Sequence, residues 1–172
     1  MKEQTIYSYK LLLRFRWPLP GLLFQLVLFC GLLLAVSRWF SIALEKLFLS
    51  SFILAAVPVA HFLLFRFYAY TRAVKPTTSP DMLFSAWWGA GFSLPQPISR
   101  YRGAECTVII GSLLGSAAVS VWLPLSFAAS LACGAAVFAL PRLIALLRSI
   151  RQPSRCRVKY ETASIAFLLT DG

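Results

Sequence analysis

Four apolar runs, broken by short clusters of charge, set the pattern of the chain. The first is Leu19–Ser37, closed by Arg38, and the second is Leu47–Phe65, opened by Glu45 and Lys46 and closed by Arg66. The third begins near Ala104 and ends around Trp122–Pro124, and the fourth runs from Leu125 toward Leu147, ahead of Arg148 and Arg151. As helices, each is long enough to cross a hydrocarbon core of about 30 Å. The break between the last two rests on "WLPL", where Pro124 suits a helix start and predicts a very tight hairpin. "LLAVS" before Arg38 has the small residues of a signal-peptide cleavage site, but the run is long for one and three more follow. The first run therefore reads as a span.

Three segments do not span. Residues 1–18 mix aromatics, leucines and arginines, a composition suited to the headgroup region or to a plain juxtamembrane flank, with Trp17 as an anchor. The 66–103 connection is long for a linker: "YTRAVKPTTSP" reads as a polar loop, and "DMLFSAWWGAGFSLPQP" as an interfacial or re-entrant hairpin. Residues 151–172 contain "RCRVKYETASIAFLL", which predicts two short strands joined at the polar "ETAS", packed against the 82–93 segment.

Composition agrees with the pattern. The chain is 59% hydrophobic and 13% charged, well above the roughly 45–50% apolar content of soluble domains. The net charge of +11 does not imply nucleic acid, because the basic residues flank apolar runs rather than forming a groove-binding face. Fifteen of the 17 Lys and Arg residues lie before the first run, between the second and third, or from Arg142 onward. By the positive-inside rule this predicts both termini in the cytoplasm. The expected fold is an all-α integral membrane protein with four transmembrane helices at 19–65 and 104–150, N-in and C-in. A small cytosolic strand-containing insertion and a C-terminal tail complete it. Its expected partner is the lipid bilayer, with another membrane protein or a second copy as further candidates and no nucleic acid.

The candidate chemistry is sparse. Cys30, Cys106, Cys133 and Cys156 are widely separated, with no C-x-x-C pair, so neither a disulfide framework nor a zinc knuckle is expected. In the third run Gly111, Gly115 and Ala118 share a helix face, a spacing that lets helices approach closely within the molecule or in a homodimer. The one histidine, His61, lies in "VPVAHFLLFRF", where an ionisable group is costly. Glu45 is 16 residues away, about 24 Å along a helix, and cannot be its partner. Glu105 at the start of the third run and Arg142 late in the fourth fall at the same depth. His61, Glu105 and Arg142 are thus a candidate buried polar cluster, the alternative being three side chains that snorkel separately to the interface.

A zinc peptidase would carry H-E-x-x-H, two histidines on one helix face gripping the metal and a glutamate activating water. Here His61-Phe62-Leu63-Leu64-Phe65 keeps only the first ligand. The chain nevertheless resembles a family of small bacterial zincin-like membrane metallopeptidases at "PQPISRYR" (Pro95–Arg102), "GSLLGS" (Gly111–Ser116) and "LLRSIRQPSRCRVKYETASIAFLL" (Leu146–Leu169). The likeness covers roughly the last two thirds of the chain. It implies a bacterial cell membrane, a cytosolic insertion after the histidine-bearing helix, and a late aspartate as a further metal ligand. At the late position this chain reads "ALPRLIALL", with Pro141 and Arg142. An arginine there would repel a divalent cation.

Two functional classes follow. One is a non-catalytic multi-pass membrane protein, a degenerate relative of that family acting through protein or lipid contacts, with no catalytic residue, metal or cofactor. The other is a membrane metallopeptidase with a non-standard site built from His61, Glu105 and Asp81. A serine triad with Ser99 or Ser112, or a thiol at Cys106, has no motif behind it. A channel or transporter finds no repeated halves.

Overall fold

The computed structural model describes residues 9–77, 85–88, 91–161 and 164–170. In chain order it contains strand β1 (Tyr9–Arg16), helix α1 (Leu19–Phe40), helix α2 (Leu44–Ser50), a 3-10 turn (Ser51–Ala55) and helix α3 (Ala56–Thr71). Short strands β2 (Pro76–Thr77), β3 (Gly91–Phe92) and β4 (Gln96–Pro97) follow. Helices α4 (Ile98–Ser120) and α5 (Leu125–Ile150) then lead into strands β5 (Cys156–Glu161) and β6 (Ser164–Thr170). Among the described residues four helical stretches are long and apolar enough to cross a membrane: Leu19–Phe40, Leu44–Thr71, Ile98–Ser120 and Leu125–Ile150.

Prolines punctuate these helices. Pro18 precedes α1 and Pro20 lies in its first turn, where the missing N–H has no intrahelical partner to lose. The second stretch narrows to a 3-10 turn at Ser51–Ala55, just ahead of Pro58, whose ring and absent N–H disturb the preceding turn. Pro124 opens α5 after a three-residue break, Val121–Leu123. Pro141, inside α5, removes the donor that would satisfy the Val137 carbonyl. That carbonyl instead accepts from Gln25 Nε2 of α1 at 2.8 Å, while Gln25 Oε1 accepts from Trp17 Nε1 at 2.8 Å. A buried glutamine in an apolar helix thus repairs a proline break in its neighbour.

The other helix contacts use small residues and hydroxyls. Ser50 and Ser130 hydrogen-bond each other at 2.8 Å between α2 and α5, and both hydroxyls lie within hydrogen-bond distance of the Leu47 carbonyl, so one donates to its fellow serine and the other to that carbonyl. A Cβ on Gly103 would sit 2.5 Å from the Tyr68 hydroxyl, which donates to the Arg100 carbonyl, so glycine is what lets α3 and α4 cross there.

β1, β6, β5 and β4 form one antiparallel sheet in that order, with β1 at an edge. The β5–β6 hairpin falls where the sequence predicted two strands, and β5 alternates, with Cys156, Val158 and Tyr160 buried between more exposed neighbours. The hairpin also packs on the described part of the 82–93 segment, since the Phe92 and Tyr160 rings lie 5.7 Å apart. Within the N-terminal segment, read from sequence as an interfacial segment or a juxtamembrane flank, Tyr9–Arg16 forms a strand that the sequence did not predict, paired with β6. Its Arg14-Phe15-Arg16 alternation turns only Phe15 into the core.

The sheet closes over one end of the helices. Phe15, Val158, Tyr160, Ile165 and Phe167 from the strands share a core with Phe65 and Tyr68 of α3, Tyr101 and Ala104 of α4, and Ala145 of α5. Burying each of these large side chains contributes about 1.5–3 kcal/mol. The protein therefore has a soluble-type core at one end of an apolar bundle.

Candidate functional site

That core surrounds the charged residues singled out from sequence. Glu105 lies two turns into α4 and Arg142 directly follows Pro141 in α5; both are wholly buried. Arg142 Nη1 donates to Glu105 Oε2 at 2.9 Å, and Arg142 Nη2 donates to the Trp87 carbonyl at 2.6 Å. Tyr160 Oη donates to Glu105 Oε1 at 2.7 Å, so each carboxylate oxygen is engaged. One ion pair thereby ties together α4, α5, the Ser85–Trp88 turn and strand β5. Such closure is what a buried pair requires, because the cost of removing two charges from water is offset only when further hydrogen bonds complete them.

His61 is also wholly buried, one turn before Phe65 on α3, and the Phe65 ring meets Tyr160 edge-on at 5.8 Å. Among the described residues neither of its ring nitrogens has a hydrogen-bond partner, and the same holds for Arg142 Nε, Tyr101 Oη and Trp87 Nε1. The structure thus brings Glu105 and Arg142 into contact, whereas Glu105, the partner expected for His61, bonds to Tyr160 and Arg142 instead. Asp81 lies outside the described residues. Among those described, no three His, Cys, Asp or Glu side chains converge into a group able to hold a metal ion. The cysteines are free thiols, with Cys156 buried and the other three half-buried.

Two members of the site were not singled out from sequence, the Tyr160 hydroxyl and the Trp87 carbonyl. The tyrosine had a signal. On the inward face of "CRVKYE" it follows Cys156 and Val158, and an inward tyrosine needs a partner for its hydroxyl. Backbone carbonyls of a turn carry no such signal.

Tyr160 lies outside the membrane-length helices, and burial, reinforced by the Glu105 charge, holds its phenol well above the ordinary range. Its folded pKa exceeds the unfolded value, so its contribution is complete below pH ~10 and falls as pH rises beyond that. Tyr160→Phe leaves Glu105 Oε1 without its donor and costs about 1–3 kcal/mol at neutral pH. In detergent melts, the gap between Tyr160→Phe and the native protein narrows above pH ~10.

The three helix-packing residues divide. Gly111 lies under Leu64 of α3, whose methyls would be 3.0 Å from an added Cβ, so it serves a contact within the molecule. Gly115 has nothing within 4 Å of such a Cβ, and Ala118 is exposed. Gly111 and Gly115 help to floor an apolar groove of about 240 Å³ between α3 and α4, walled by Ile53, Ala60 and Val119.

No protein-family model, curated protein or solved structure matches the chain.

Proposed function

We propose that the chain is a multi-pass protein of a bacterial cell membrane, with both termini and the sheet in the cytoplasm, that works by contact with lipid or another membrane protein and not by catalysis. In this reading it is a degenerate relative of the zincin-like membrane metallopeptidases it resembles, keeping their layout without their metal chemistry. The observation that carries the proposal is the closure of the buried Glu105–Arg142–Tyr160 cluster. Glu105 has no exposure, and its two oxygens are bound to Arg142 and Tyr160. A general base must reach its substrate proton directly or through one water, and a zinc ligand must offer a lone pair to the metal. Glu105 is poorly placed for either role. The orientation rests on charge. By sequence, fifteen of the 17 basic residues precede α1, lie between α3 and α4 or in their adjoining ends, or follow from Arg142 onward, leaving Arg38 and Lys46 in the adjoining ends of α1 and α2.

One observation favours the competing reading of an active metallopeptidase. Both nitrogens of His61 lack a protein partner among the described residues, as a ligand awaiting a metal would. Metal analysis of protein purified in detergent separates the two. The expected result is less than stoichiometric zinc, equal in the native protein and His61→Ala. Stoichiometric zinc lost in His61→Ala, together with peptide hydrolysis, overturns the contact reading.

A further inference from the structure

We propose that the sheet-side end of α5 is a docking site for an anionic phospholipid, its phosphate held between Arg148 and Arg151. The inference rests on the contact reading above and gives it a place and a ligand class. A recess of about 450 Å³ opens there, lined by Ile144, Leu147, Arg148, Ile150 and Arg151. Ile144, Leu147, Arg148 and Arg151 stand at successive spacings of three, one and three residues, which gathers them on one strip of the helix surface. The strip is apolar toward the middle of α5 and doubly cationic at its end.

Three features argue for a lipid. The first is the bearing of Arg148, whose guanidinium lies over the Phe15 ring with 5.2 Å between the guanidinium carbon and the ring centroid. Stacking on an aromatic face holds the planar group by its apolar surface and leaves its N–H edge to donate, the geometry that suits a phosphate. The second is charge. Among the described residues the ion pairs are Arg14–Glu161 and Arg142–Glu105, so neither Arg148 nor Arg151 is neutralised by an acid there. The third is the apolar surface beside the cations: Leu143, Leu147 and Ile150 are 38%, 54% and 62% exposed. Those side chains belong to a helix long and apolar enough to cross a membrane. A soluble phosphate ester would leave this apolar strip in contact with nothing, whereas a phospholipid covers it with its acyl chains while its headgroup meets the arginines.

A basic side chain near an anionic membrane surface contributes enough that losing two predicts about 30-fold weaker retention, and losing one about five-fold. The test is native mass spectrometry of the full chain released from mixed micelles of phosphatidylglycerol and phosphatidylcholine. The native protein is expected to retain phosphatidylglycerol over phosphatidylcholine, and Arg148→Gln/Arg151→Gln to lose that retention about 30-fold. The control Arg155→Gln/Lys159→Gln removes the same charge from exposed positions outside the recess and keeps it. Equal retention of the two lipids, an unaffected double variant, or an equal loss in the control each overturns the site. Should the double variant fail to fold, Arg151→Gln alone, at an exposed position just past α5, still gives the five-fold comparison. Zinc-dependent hydrolysis would defeat the contact reading while leaving this lipid measurement to decide the site by itself.

Discussion

Glu105→Ala lowers the stability of the detergent-solubilised protein by about 3–5 kcal/mol, the largest single effect expected in the chain. The substitution removes one hydrogen-bonding carboxylate from a site with no exposure. Arg142 then remains as a buried cation whose other strong contact is the Trp87 carbonyl, and the Tyr160 hydroxyl loses its acceptor. The cost comes from the charge left behind more than from the bond lost. That distinction has its own test in Glu105→Leu/Arg142→Met, where both charges go together. Replacing a buried pair by well-packed apolar side chains removes the unpaired-charge cost. The Tyr160 hydroxyl and the Trp87 carbonyl still lose their partners, so the double variant is expected to melt above Glu105→Ala and below the native protein. A single variant as stable as the native protein would show that Glu105 is not held as described. A double variant as weak as the single would show that the pair supplies more than the cancellation of two charges.

The legibility of this site in the sequence has a physical explanation. Glu105 and Arg142 were recognisable because ions within apolar runs are costly, and helix rise alone puts them at one depth near the basic end of the chain. Depth says nothing about azimuth, and the same argument therefore joined His61 to Glu105. In the structure that carboxylate is engaged by an arginine and by a tyrosine from a strand 55 residues away. The four apolar helices were legible for the same reason as the ions, since length and hydropathy act locally. α4 begins at Ile98, earlier than the apolar run near Ala104, because its first turns place Ile98 and Tyr101 in the sheet-side core while Arg100 and Arg102 stay half-buried beside it. Arg102 donates to the Ser149 carbonyl at the end of α5, a contact that hydropathy cannot reveal. β1 was the least legible element. "YKLLLRFR" has the leucine, aromatic and arginine content of an interfacial segment, and only its pairing partner β6, about 155 residues later, makes it a strand. Non-local pairing of this kind overrides local composition.

Gln25→Leu is expected to destabilise by about 2–4 kcal/mol, although it replaces a polar residue in an apolar helix with an apolar one. Hydropathy alone predicts a gain. The structure reverses the sign, because Gln25 serves two groups that have no other partner. Its amide donates to Val137, whose carbonyl Pro141 has orphaned, and its oxygen accepts from the Trp17 indole. Each buried polar group left without a partner costs about 1–3 kcal/mol, which outweighs the transfer gain of one side chain. The proline makes the account testable. In a Pro141→Ala background residue 141 regains an N–H, the Val137 carbonyl is satisfied within its own helix, and Gln25→Leu then orphans only the indole. The cost of Gln25→Leu is therefore expected to fall by about half when measured on Pro141→Ala, a coupling of about 1–2 kcal/mol read from the four detergent melts of the double-mutant cycle. Additive effects would mean that the glutamine and the proline act independently, and the repair of the α5 break would need another explanation. The same cycle bears on the charged cluster. Pro141 immediately precedes Arg142, so a change in helix path at residue 141 shifts the guanidinium against Glu105. Pro141→Ala is accordingly expected to weaken the buried pair even as it completes the helix, and the cycle's coupling, which compares Gln25→Leu in two fixed backgrounds, cancels that separate cost.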